Sequence, residues 1–146
     1  MTSKEKTEPV ILLAEDSDDD AFFFQRAFLK VRAGCALVRA ENGKVALETL
    51  RARIDRSEPM PLLFFLDLKM PVMSGFEVLE GLRIFDSVPK VIVLSGSNDQ
   101  NDRSRALSLG AADYLVKPIT TDVLRERIFN QLSVLPPAQR QTKVNA

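Results

Sequence analysis

Five times along this chain of 146 residues a short apolar run is followed by a helix-length amphipathic segment, and no other feature restricts the fold as much. The runs Val10–Ala14, Ala36–Ala40, Leu62–Leu66, Val91–Leu94 and Asp113–Val116 read as strands. The first, third and fourth are continuous apolar blocks, as strands covered on both faces must be. Helical segments follow at about 18–32, 43–55, 74–86, 100–109 and 121–134. In the first of these, Ala21, Phe24, Phe28 and Val31 recur on one face. Ser17, three residues before Asp20, is an N-terminal capping signal. Gly43, Ser74–Gly75, Gly110 and Pro118 punctuate the joints, where turn chemistry is wanted. Strict alternation dictates parallel strands, right-handed crossovers and helices on both faces of the sheet. The class is α/β, a doubly wound (βα)5 sheet of five parallel strands. Residues 1–8 and 136–146 fall outside the pattern and are expected to be flexible termini. The body, about 9–135, is expected to be one domain.

Composition removes several classes of function. Basic and acidic residues number 20 each, so no net field draws the chain to nucleic acid or to an anionic membrane, and neither is expected as a partner. Runs such as Pro61–Leu66 are far too short to cross a bilayer, and residues 1–9 hold nothing like the apolar part of a signal peptide. Cys35 is the single cysteine and cannot close an internal disulfide, which fits a reducing, cytoplasmic setting. The chain has no histidine. Imidazole catalysis and the usual zinc sites are therefore excluded, and any chemistry falls to carboxylates, hydroxyls and lysines.

In an open parallel sheet, ligands bind beyond the carboxyl ends of the strands, near a topological switch point. Here the first strand ends in Glu15-Asp16, the third in Asp67 and the fourth in Ser95, and the fifth runs into Lys117-Pro118. Two carboxylates about 4 Å apart repel by about 1–4 kcal/mol, depending on the effective dielectric. A hard divalent cation relieves such a cluster, and Mg2+ (or Mn2+) suits an all-oxygen ligand set. Lys117 would add a fixed positive charge and Ser95 a hydroxyl. Such a set can stabilise a phosphoryl group in transfer, with a carboxylate as the acceptor. The competing reading is that strand ends are wet and charged in any case.

Four stretches carry a family likeness: Leu13-Ala14-Glu15-Asp16, Leu66-Asp67-Leu68-Lys69-Met70-Pro71-Val72-Met73-Ser74-Gly75, Leu94-Ser95-Gly96 and Gly110-Ala111-Ala112-Asp113-Tyr114-Leu115-Val116-Lys117-Pro118. Together they resemble the response regulator receiver domain, over about residues 9–134, and the chain is similar to the single-domain members of that family. The resemblance implies a flavodoxin-like sheet of strand order 2-1-3-4-5 and phosphorylation of Asp67. It implies a metal held by Asp16, Asp67 and the backbone carbonyl of Lys69, with Glu15 acting directly or through water. Lys117 and Ser95 would grip the phosphoryl oxygens, and the bond before Pro118 would be cis. Ser95 and Tyr114 would form a switch, the hydroxyl moving toward the phosphate as the ring turns inward. Taking such a switch from 1:99 to 99:1 requires about 5.5 kcal/mol of differential stabilisation. An ordinary aromatic packed on an edge strand is the alternative for Tyr114.

The same resemblance implies partners. The donor would be a sensor histidine kinase, of a photoreceptor type in similar regulators, or a histidine phosphotransfer protein. Output would pass from the surface of the fourth helix, fifth strand and fifth helix to a downstream protein, or through a homodimer. Family members dock partners on the first helix and the fifth βα loop, which here carry Phe22 and Pro118. Phe22 points about 200° from Phe24 around the helix, away from the buried stripe, whereas Phe23 is expected at the core edge. Lys69 is expected to pair with Glu15 or to shield an acyl phosphate, giving slow self-dephosphorylation, although Gly96 offers little cover. Asp18, Asp19 and Asp20 read as charges complementing the helix dipole. The polar segment 98–105 reads as a mobile output surface or a frayed helix. No dedicated enzyme is expected. A magnesium-dependent phosphatase would want a second acid where Lys69 stands, a nucleotide-binding domain would want a Gly-rich loop after the first strand, and a degenerate scaffold would lack the acceptor set.

Overall fold

A computed structural model describes residues 8–135, so the expectation for the termini, Glu8 apart, lies outside the described residues. The elements run β1 (Val10–Ala14), α1 (Asp18–Val31), β2 (Ala36–Ala40), α2 (Gly43–Asp55), β3 (Leu63–Asp67) and α3 (Gly75–Gly81). A short 3-10 turn (Leu82–Ile84) follows, then β4 (Lys90–Ser95), α4 (Gln100–Ser108), β5 (Asp113–Val116) and α5 (Thr121–Leu132). All strand pairs are parallel, in the order β2-β1-β3-β4-β5. The order 2-1-3-4-5 implied by the resemblance is the observed one. Winding reverses between β1 and β3, which opens the crevice at the carboxyl edge.

Two apolar layers sandwich the sheet because successive strand residues face opposite sides. Leu12, Ala14, Phe64, Leu66, Val91 and Val93 pack toward Leu50, Val78 and Ala106 of α2, α3 and α4. Ile11, Leu13, Leu63, Phe65, Ile92 and Leu94 pack toward Phe24, Phe28, Leu124 and Ile128 of α1 and α5. Phe24 meets Phe65 edge to face, with ring centroids 5.0 Å apart.

The helix starts are fixed locally. Ser17 Oγ accepts from Asp20 N–H at 3.2 Å, and Asn42 Oδ1 from Val45 N–H at 2.9 Å. Ser74 and Glu77 close a reciprocal capping box. The polar segment after β4 forms the regular helix α4, capped by Asp99, with Ala106 its one fully buried residue. Several boundaries differ from the sequence reading; β4, for one, runs Lys90–Ser95 and so includes Ser95. The third helix does not run to residue 86: Gly81 is a poor helix former, and the chain tightens to a 3-10 turn closed by Phe85 N–H on the Leu82 carbonyl at 3.1 Å. The third strand runs one residue later than Leu62–Leu66, so Asp67 belongs to the ladder and not to the loop beyond it.

That loop is strained at one point. Val72 has φ 72°, is exposed, and sits between Pro71 and Met73, whose N–H donates to the Pro71 carbonyl at 2.8 Å. A β-branched residue at the centre of such a γ-turn is disfavoured. Val72→Asn should therefore stabilise the fold by about 0.5–1 kcal/mol in urea denaturation. A less stable Asn variant would show that the loop carries no strain.

Candidate functional site

Sheet register brings the polar strand ends together. Asp67 of β3 stands opposite Leu94 of β4, and Ser95 opposite Val116 of β5. Pairing continues past the strand ends: Glu15 N–H donates to the Ala40 carbonyl at 3.1 Å, Leu68 N–H to Leu94 at 2.9 Å, and Lys117 N–H to Ser95 at 2.7 Å. The Lys117–Pro118 bond is cis. These backbone ties, more than any loop, set where the side chains lie.

Glu15, Asp67 and Ser95 are buried, while Asp16 is exposed. One carboxylate oxygen from each of Glu15, Asp16 and Asp67 lies within 4.8 Å of the others. Lys117 Nζ reaches Glu15 Oε1 at 2.8 Å, Asp20 Oδ2 at 2.9 Å and Asp67 Oδ1 at 3.3 Å. An ammonium has three N–H donors, and three carboxylates take them. Burial alone would lower the Lys117 pKa, but the bonds to Glu15 and Asp20 and the charges of Asp67 and Glu15 outweigh it and raise it. Asp67 moves the other way from an ordinary carboxylate in water. Burial first, then the neighbouring Glu15, push its pKa up to about 7, and Lys117 only partly opposes this.

Three carboxylates thus grip one ammonium, a fourth, Asp16, lies beside two of them, and every candidate ligand atom is oxygen. Such a surplus of negative charge, half of it on the buried Glu15 and Asp67, fits a hard divalent cation, which Glu15, Asp16 and Asp67 would hold. The Lys69 backbone stays beside them, its N–H donating to Asp67 Oδ1 at 3.4 Å.

Several residues sit differently from the sequence reading. Asp20 is not merely a dipole charge, because it grips the Lys117 ammonium. The available signal was its place four residues before Phe24, on the stripe that faces the sheet. The partner expected for Lys69 is taken: Glu15 pairs with Lys117, and Lys69 is exposed without an ion pair among the described residues. Phe23 does not reach the core edge. It is 58% exposed and meets the exposed Phe22 edge to face at 5.9 Å. Beside it, Asp20, Phe24, Gly96, Pro118 and Ile119 line a groove of about 400 Å³.

Ser95 and Tyr114 are joined through the backbone of one residue, Ser97. Ser97 N–H donates to Ser95 Oγ at 3.1 Å, and the Tyr114 hydroxyl donates to the Ser97 carbonyl at 2.9 Å. The ring lies inward and is buried. Arg103 of α4 donates to the Tyr114 carbonyl at 3.1 Å and stands 5.4 Å from the ring centre.

The sequence matches the family model of the response regulator receiver domain over residues 11–129. It is 38% identical over 120 residues to the transcriptional regulatory protein AfsQ1 of Streptomyces coelicolor, covering 82% of this chain and 49% of that one. The fold is similar to the bacteriophytochrome response regulator AtBRR, with TM-score 0.73 and 28% identity over 90% of this chain and 96% of that one. It is also similar to the Mn2+-bound form of the response regulator Rcp1, with TM-score 0.65 and 26% identity over 86% of this chain and 93% of that one. The chain spans about half the length of most of the curated relatives it matches. No helix among the described residues is long and apolar enough to cross a membrane.

The raised Asp67 pKa has a stability consequence with a definite sign. Its folded value, about 7, lies above the ordinary 3.8. The metal-free fold therefore keeps the full contribution of this group at low pH and loses it as pH rises toward 7. Without metal, Asp67→Asn should be more stable than the parent by roughly 1–4 kcal/mol at pH 8. The gap should close on acidification to pH 4 in urea titrations. A parent as stable as the Asn variant at pH 8 would contradict this.

Proposed function

The chain belongs to the response regulator receiver domain family, and from that premise we propose that it acts as the phosphoacceptor domain of a response regulator in a two-component phosphorelay, taking a phosphoryl group on Asp67. The observation that carries this reading is Asp67 itself, buried at the end of β3, within 3.3 Å of the Lys117 ammonium and beside Glu15 and Asp16. The donor is the phosphohistidine of a sensor histidine kinase or a phosphotransfer protein. An Asp67 carboxylate oxygen forms the new bond to phosphorus as the P–N bond breaks, and the imidazole leaves with the bonding pair. Lys117 donates to the phosphoryl oxygens, and the Ser95 hydroxyl reaches them once released from Ser97. A Mg2+ (or Mn2+) ion bound by Glu15, Asp16, Asp67 and the Lys69 carbonyl would neutralise the charge gathering on those oxygens. Exposed Lys69 shields the acyl phosphate from water and slows its loss. Turnover of a metabolite forms no part of this reading.

Ser95 is the input of the switch, and the Ser97 backbone carries its movement to Tyr114 and Arg103. The surface of α4, β5 and α5 then meets a downstream protein or a second copy of the chain. The likeness to AtBRR, a bacteriophytochrome response regulator, favours a photoreceptor kinase as the input, and a cytoplasmic location follows from such a partner. Phe22 and Pro118 belong to the surface that the phosphodonor meets.

Incubation with Mg2+ and acetyl phosphate should add the mass of one phosphoryl group, mapped by peptide analysis to Asp67. Chelation or Asp67→Asn should abolish the addition; an unmodified parent chain would end the proposal. Phe22→Ala should weaken phosphotransfer from the cognate kinase about tenfold while leaving acetyl phosphate labelling intact. Equal transfer to the parent and the Ala variant would remove Phe22 from the docking surface.

A further inference from the structure

Arg39 has no part in phosphoryl transfer as set out above, yet three hydrogen bonds tie it to the site. It stands on β2 opposite Leu13 of β1. Its neighbour but one, Leu37, packs on the side of the sheet covered by α1 and α5, so alternation turns the Arg39 side chain toward the start of α1. Nε and Nη2 both donate to the Glu15 carbonyl, at 3.0 and 2.9 Å, and Nη1 donates to Asp18 Oδ1 at 2.9 Å. The Glu15 N–H is already held by the neighbouring Ala40 carbonyl. Both polar groups of the Glu15 backbone are thus fixed by β2.

Glu15 and Asp18 flank Asp16, the one exposed carboxylate of the acidic cluster. Among the described residues no side chain grips the Asp16 carboxylate, so its position depends on its backbone. A planar guanidinium with donors in a fixed fork suits this task, because one rigid group can hold a carbonyl and a carboxylate at once.

We propose that Arg39 is a positioning residue for the divalent cation: its fork presets the turn from Glu15 to Asp18 so that Asp16 is presented beside Glu15 and Asp67. This rests on the phosphoacceptor reading of the site. Charge and positioning make opposite predictions. Removing a positive group near the cluster would by itself tighten cation binding by lessening repulsion. Removing a fork that orients a ligand weakens it, and outer-shell partners of metal ligands are typically worth about 10–100-fold in affinity.

The test is calorimetric titration of MgCl2 into the unphosphorylated full chain. Arg39→Ala should bind Mg2+ about tenfold more weakly; because the side chain is only 28% exposed, parent and variants are compared well below their metal-free thermal transitions. Arg39→Lys keeps the charge and loses the fork, so it should resemble Arg39→Ala more than the parent. Acetyl phosphate labelling of both variants should be slow at limiting Mg2+ and recover toward the parent rate at saturation, separating cation affinity from chemistry. Arg39→Ala or Arg39→Lys binding Mg2+ as tightly as the parent overturns the inference and leaves the reading of the site intact. A parent chain that binds no Mg2+ overturns both.

Discussion

One ammonium group holds the functional end of this molecule together. Lys117 Nζ spends its three donors on Glu15, Asp20 and Asp67, and two of those carboxylates are buried. Without it, Glu15 and Asp67 would face each other in a low-dielectric site with nothing to offset their repulsion. With it, the balance is still incomplete, because Asp16 joins the cluster and Asp67 remains hard to ionise. A site poised in this way has a standing demand for positive charge. A divalent cation, which receiver domains bind at such an acidic pocket, would meet it.

Lys117 can do this because the sheet places it. Its backbone N–H is bonded to the Ser95 carbonyl, which extends the β4–β5 pairing one residue beyond the strand. Asp67 is likewise a strand residue, with Leu63, Phe64, Phe65 and Leu66 behind it buried against both helical layers. Rigid, doubly covered strands hold a constellation more closely than loops do. The remaining site residues lie one step further out, in the turns from Asp16 to Asp18 and from Lys69 to Ser74. There the structure adds local devices: the Arg39 fork on one turn and the capping box of Ser74 and Glu77 on the other.

The path away from the site is short. Ser95, the Ser97 backbone, Tyr114 and Arg103 are linked by successive hydrogen bonds from the edge of β4 to α4. Few apolar contacts anchor α4, whose only fully buried residue is Ala106. An element held by one small buried residue and a few polar bonds opens at lower cost than α1 or α5, which are rooted in the core.

The sequence by itself determined the architecture and most of the site. Apolar runs separated by helix-length segments leave little choice but a parallel sheet, and the polar residues closing those runs, Glu15-Asp16, Asp67, Ser95 and Lys117, are the ones at the crevice. The 3-10 end of the third helix and the one-residue shift of β3 were not legible, because both depend on competition between local propensity and ladder pairing. Only tertiary structure decided the partners: that Lys117 takes Asp20 as well as Glu15, that Lys69 is left outside, and that Arg39 reaches from β2 to the Glu15 carbonyl. The physical reason is that hydrophobic period is a local property of the chain, readable in a window of residues. Which charge meets which is settled by through-space distance between strands, and 97 residues separate Asp20 from the lysine it holds.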